Sequence, residues 1–154
     1  MEIQFLEKAI EISRISIEKG GGPFGACIVR DNEIISLEHN TVTIDNDPTA
    51  HAEINAIRSA ARKLGKFDLS ECVIYSSTEP CPMCLSAIYW ARIPIVYYAT
   101  TRKDVEQIGF SDNFIYEELQ KPIEQRKVKM IQLDKTKSLE VFDVWKNYEN
   151  KVEY

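Results

Sequence analysis

The sequence has no basic excess: 19 Lys and Arg stand against 24 Asp and Glu, giving a net charge of -5 and a pI near 5.2. A surface that binds polyphosphate normally shows itself as surplus positive charge, so a large nucleic-acid face is not expected and a small substrate fits better. Long apolar runs are also missing. No stretch approaches the roughly 20 residues that span a bilayer, and nothing at the N-terminus reads as a signal peptide, so no membrane partner is expected. Cysteine is scarce, four in 154 residues, and with two of these in a metal-like motif the usage suits a reducing cytoplasm. Repeats, low-complexity tracts and interdomain linkers are absent too. One domain over residues 1–154 is expected, with enough apolar content, 44%, to bury a real core.

Against these absences stands one dense pattern, His51-Ala52-Glu53 followed by Pro80-Cys81-Pro82-Met83-Cys84. One imidazole and two thiolates can hold Zn2+ as three protein ligands, leaving a fourth position open for water, as catalytic zinc sites do. Glu53 then stays off the metal as a proton carrier. A structural site completed by Cys72 or His39 is the alternative, as is a pair of merely buried cysteines. A structural site, however, has no need of a glutamate two residues after its histidine.

The spacing makes physical sense. Cys81 and Cys84 stand three apart, so if Pro82 opens a helix both sulfurs face one side of its first turn, where the positive helix end favours thiolate. His51 and Glu53 are two apart, roughly 200° around a helix, and serve one site only where a helix begins and the metal lies off its end. Asp47-Pro48-Thr49 supplies such a start, with Asp47 or Thr49 available as a cap. Two helix N-termini would then converge on one zinc.

The rest of the chain alternates elements. Residues 3–19 place Ile3, Leu6, Ile10 and Ile17 at helical spacing and stop at Gly20-Gly21-Gly22. Strands at about 26–30 and 33–38 flank Asp31-Asn32, a hairpin turn. Then come a helix at 51–64, a strand at 72–77, a helix at 82–91, a strand at 94–99, helices within 102–119, a strand at 128–133 and a helix at about 138–149. This order predicts an α/β fold, a three-layer α/β/α sandwich on a mixed five-stranded sheet. The metal motifs fall at strand-to-helix turns, where such sheets bind ligands.

The element order and both motifs resemble the cytidine deaminase superfamily, whose zinc-dependent members carry this His-x-Glu and Pro-Cys-x-x-Cys signature. Pro23-Phe24-Gly25-Ala26, the run from Asn46 to Glu53, and Glu79 to Cys84 look like the branch shared by guanine deaminases and tRNA adenosine deaminases. Ala87 to Arg92, Gly109 to Tyr116 and the ending Asn150 to Tyr154 are similar to bacterial guanine deaminases. The resemblance implies hydrolysis of guanine to xanthine and ammonia, with one Zn2+ per chain on His51, Cys81 and Cys84. Glu53 would shuttle the proton, and backbone N–H groups near Ala52 and Cys81 would assist.

Substrate residues follow from the residues and the resemblance together. Asn40 can donate and accept, matching a base edge with O6 and N7, although loop asparagines are often turn residues. Phe24 can stack on the ring or serve as core. The resemblance makes Trp90 a pocket wall, where packing is otherwise the default. Asp112 can cap a helix or accept from the ring N–H or amine of guanine. Tyr154 would close the site from an exchanged C-terminal segment, about 138–154, in a homodimer. Glu79 divides evenly between bracing its loop and touching substrate. Cys27, Cys72, Tyr75, Tyr97 and Tyr98 read as core, and His39 as solvent-facing. Guanosine or another aminopurine is the nearest alternative substrate; a tRNA adenosine deaminase should carry a basic surface, and a zinc-stabilised binding module a fourth ligand.

Overall fold

The computed structural model describes residues 2–154, which form two compact units, one ending at Asn113 and the other running Phe114–Tyr154. In the first unit helix α1 (Glu2–Glu18) leads through a glycine turn, Gly20 at φ +85°, into strands β1 (Gly25–Arg30) and β2 (Glu33–His39). Asp31 and Asn32 take φ of 52° and 63°, the left-handed pair of a tight hairpin. A single turn α2 (Val42–Asp45) precedes α3 (Ala52–Leu64), β3 (Val73–Thr78), α4 (Pro82–Trp90), β4 (Ile95–Thr100) and α5 (Arg102–Glu106).

The sheet is four-stranded in the order β2-β1-β3-β4. β1 pairs antiparallel with both β2 and β3, and β3 pairs parallel with β4 across the α4 crossover. Side chains alternate between faces along each strand. Ala26, Ile28 and Ile74 join Ala52, Ala56 and Ala60 of α3 and Ile88 of α4 in one core, while Cys27, Val29 and Tyr75 join Phe5 and Ala9 of α1 in another. Cys27 and Cys72 are fully buried, as expected of small apolar residues.

Three expectations need correction. The α1 helix is where periodicity placed it, but its buried residues are Phe5, Ala9 and Ser16, and Ile3, Ile10 and Ile17 are exposed. The close approach to Gly25 explains this: a Cβ there would overlap the Ala9 carbonyl oxygen, so α1 lies on β1 by its Ala9 side, with Phe5 in the core on that side and Ile3, Ile10 and Ile17 turned outward. Tyr75 is core, yet Tyr97 and Tyr98 are not, because β4 is an edge strand; Tyr97 stacks on Tyr75 at 5.1 Å.

The fifth strand is not formed. In the second unit α6 (Asn113–Gln120), which begins at the unit boundary, a 3-10 turn (Ile123–Gln125) and α7 (Thr136–Lys146) are the regular elements, and residues 128–133 run as irregular chain. Val128, Ile131 and Leu133 are more than three-quarters exposed. Alternating apolar residues make a strand only when another strand takes up their backbone hydrogen bonds. Among the described residues no helix is long and apolar enough to cross a membrane.

Candidate active site

His51 is the N-cap of α3 and Cys81 the N-cap of α4, with Pro82 at the first helical position, so two helix starts meet as the spacing required. Neither cap is closed by a side chain. Asp47 does not cap α3: its Oδ1 accepts from the Thr49 backbone N–H and hydroxyl at 2.8 and 2.7 Å. Thr49 supplies no cap either; the two residues shape the incoming loop and meet Arg58 of α3, at 3.4 Å from the Thr49 hydroxyl and 3.6 Å from Asp47 Oδ2.

The His51, Cys81 and Cys84 donor atoms all lie within 4.8 Å of one another. Nδ1 of His51 is 3.6 Å from the Cys81 sulfur and 3.5 Å from that of Cys84. Among the described residues this is the group of three or more His, Cys, Asp or Glu fit to hold a metal ion. Cys72 is buried in the α3–α4 core, and His39 is half-buried with Nδ1 3.0 Å from the Asn40 carbonyl oxygen, not turned to solvent; neither offers a fourth ligand.

The electrostatics of the cluster favour a divalent cation. The hydrogen bond from Cys84 holds the Cys81 thiol down to about 4, and that same contact, with burial, drives Cys84 far above the ordinary thiol range. Burial raises Glu53, and the Cys81 contact raises His51. Ionising both sulfurs beside a buried carboxylate requires positive charge between them, and one nitrogen with two sulfurs is a donor set that Zn2+ takes readily.

Glu53 is 6% exposed and bonded at both oxygens. Oε1 accepts from the Ser76 hydroxyl at 2.9 Å, and Oε2 lies 3.4 Å from the Cys84 sulfur. Ser76, 1% exposed, was not singled out by sequence reasoning. Its one signal is that the polar run Ser76-Ser77-Thr78 ends an otherwise apolar strand, where the bland reading is a strand terminus.

The candidate substrate residues divide. Asn40 is buried, and its Oδ1 accepts from the backbone N–H groups of Gly22 and Val42 at 3.3 and 3.2 Å. The Ser16 hydroxyl donates to the Asn40 carbonyl oxygen at 3.0 Å, and Gly21 is needed beside it because a Cβ would overlap that oxygen. Asn40 is therefore fixed through its oxygen, leaving the amide NH2 as its free chemistry. Phe24 packs against the α3–α4 core and meets Phe110 edge-on at 5.1 Å. Asp112 is half-buried and close enough to His51 and Cys81 for each to feel its charge; burial raises its carboxyl. Ala52, the first residue of α3, is fully buried.

Trp90 lies at the opposite end of α4 from the cysteines and is 67% exposed; Tyr154 ends the second unit at 75% exposure. Glu79 braces its loop: Oε2 accepts from the Arg102 backbone N–H at 3.1 Å.

Residues 1–100 match the family model for the cytidine and deoxycytidylate deaminase zinc-binding region. Over 151 residues the chain is 49% identical to the guanine deaminase of Bacillus subtilis (strain 168), covering 97% of each. It is 43% identical over 99 residues to the tRNA-specific adenosine deaminase of Aquifex aeolicus (strain VF5), covering 64% of this chain and 66% of that relative. The X-ray structure of guanine deaminase from Bacillus subtilis is similar with a TM-score of 0.97 at 48% identity, covering 100% of this chain and 99% of that one.

Proposed function

The chain belongs to the cytidine and deoxycytidylate deaminase zinc-binding family, and from that premise we propose that it deaminates guanine hydrolytically to xanthine and ammonia. The single observation that carries the chemistry is a buried carboxylate, Glu53, set beside a cluster of three metal donors without belonging to it. Choice of base rests on similarity to a guanine deaminase through 97% of the chain, against 64% for the adenosine deaminase. The acidic balance points the same way.

His51, Cys81 and Cys84 hold the zinc. Zinc, when bound, lowers the pKa of a water toward neutrality and so makes it a nucleophile. Glu53 accepts one proton of the attacking water and delivers it to ring N3 as the C2–O bond forms, then carries the remaining proton of the new C2 hydroxyl to the amine as the C2–N bond breaks and ammonia leaves. Backbone N–H groups at Ala52 and Cys81 assist from two helix starts. The Asn40 amide donates to the base edge, Phe24 stacks on the ring, and Asp112 accepts from the ring N–H or amine that distinguishes guanine from adenine.

The molecule acts in this reading as one cytoplasmic domain over residues 1–154, with helices on both faces of the sheet as three α/β/α layers. It works as a homodimer that exchanges the segment from about 138 onward, Trp90 and Tyr154 closing the pockets. Helix α7 supports this: it has no buried residue although Leu139, Val141, Phe142, Val144 and Trp145 are all at least 45% exposed. An apolar helix left that bare needs a cover, and a second copy supplies one cheaply.

The test is a panel of guanine, guanosine, adenine and 2,6-diaminopurine assayed for ammonia release. Guanine should be turned over fastest. Preference for guanosine would move the substrate to the nucleoside, and no release from any of them with zinc bound would refute the reading.

A further inference from the structure

Ser76 sits on β3, between Ala26 of β1 and Tyr98 of β4. Ile74 and Tyr75 before it enter the two different cores, so strand alternation sends Ser76 to the Ile74 side, the side of α3 and α4. There its hydroxyl donates to Oε1 of Glu53 at 2.9 Å. The direction of that proton is set on both sides. A hydroxyl has one hydrogen; the Ser76 oxygen accepts from the Thr78 backbone N–H at 3.5 Å, so the hydrogen is left for the carboxylate.

Packing alone does not ask for serine here. Its neighbour across the strands is Ala26, fully buried, and a buried hydroxyl costs free energy unless bonded. Its partner is the proton carrier. With Oε1 occupied, Oε2 is the oxygen on the side of the Cys84 sulfur, at 3.4 Å. We infer that Ser76 is a positioning residue for proton transfer, holding Oε1 of Glu53 so that Oε2 alone faces the metal ligands and the reacting water. The inference rests on the proposed deaminase reading.

The experiment compares S76A, S76T, E53Q and the double variant E53Q/S76A for zinc content, melting, kcat and KM. In S76A zinc should stay stoichiometric, melting should fall by only a few degrees, and KM should hold within about twofold. Its kcat should drop about 10- to 100-fold, as loss of a group orienting active-site residues usually costs. S76T, which keeps the hydroxyl, should recover most of that loss. Adding S76A to E53Q should cost nothing more, because the two act through one carboxylate.

An unchanged kcat in S76A, an equal further loss on top of E53Q, or a rise in KM matching the fall in kcat overturns the inference. Loss of zinc or a collapse in melting does so as well, since Ser76 would then be holding the fold. A crystal structure of zinc-loaded S76A reads the same point without turnover: the Glu53 carboxylate should rotate or split between orientations, and an unmoved carboxylate refutes the role. If zinc-loaded wild type released no ammonia from guanine, the functional reading would fall, while Ser76 would still stand or fall on that structure.

Discussion

Burial raises the Glu53 carboxyl above its ordinary value, against the opposing pull of its own backbone N–H and then of the Ser76 hydroxyl. A carboxyl raised by burial beside a cluster of metal donors suits a proton carrier. Glutamine can keep the acceptor that Ser76 needs and cannot carry the proton. E53Q should therefore retain zinc and fold while losing at least about two orders of magnitude in kcat, the usual size of a general acid–base contribution. Metal analysis and steady-state kinetics check this, and near-normal turnover would reassign the residue. The metal ligands and Glu53 could be read from sequence because each has a fixed spacing to a helix start. Ser76 could not, because its hydrogen bond joins residues 23 apart in sequence. That pairing exists only once β3 lies beneath α3.

At the scale of elements, boundaries followed local chemistry and faces did not. Pro82 opened α4 and Asp31-Asn32 turned the hairpin because each acts through its own backbone. The face that α1 buries is chosen by what lies under it, which helical spacing alone does not report. Gly25 brings β1 so near that a Cβ would overlap the Ala9 carbonyl oxygen and crowd Ile12 Cγ2, and no periodicity in α1 reports a glycine in another element. The missing strand at 128–133 has the same cause, since a strand needs a neighbour and the sequence names none. Gly25→Ala should force α1 away from the sheet and destabilise the first unit by about 1–3 kcal/mol, the usual penalty of overpacking. A lower denaturant midpoint with unchanged slope would show it; an unshifted midpoint would mean that the helix yields freely.

At the scale of the whole molecule, the proposed exchange of C-terminal segments gives a test that no single-chain variant can. Deleting Val152–Tyr154 should leave zinc bound and cut guanine turnover sharply. Mixing that deletion with E53Q chains should restore activity, because one mixed site joins an intact Glu53 to an intact tail. Absence of recovery, with subunit exchange confirmed, would show that the tail serves its own chain or none. A different consequence follows from the two helix starts that meet at the metal. His51 and Cys81 bracket all of α3 and β3, so a metal holding both closes a loop of about thirty residues, worth on the order of 3 kcal/mol in lost freedom of the unfolded chain by analogy with a crosslink of that length. Zinc is thus a staple as well as a reagent. Its ligands come together only when β3 has docked, so a metal bound to them ties the folded arrangement of the first unit.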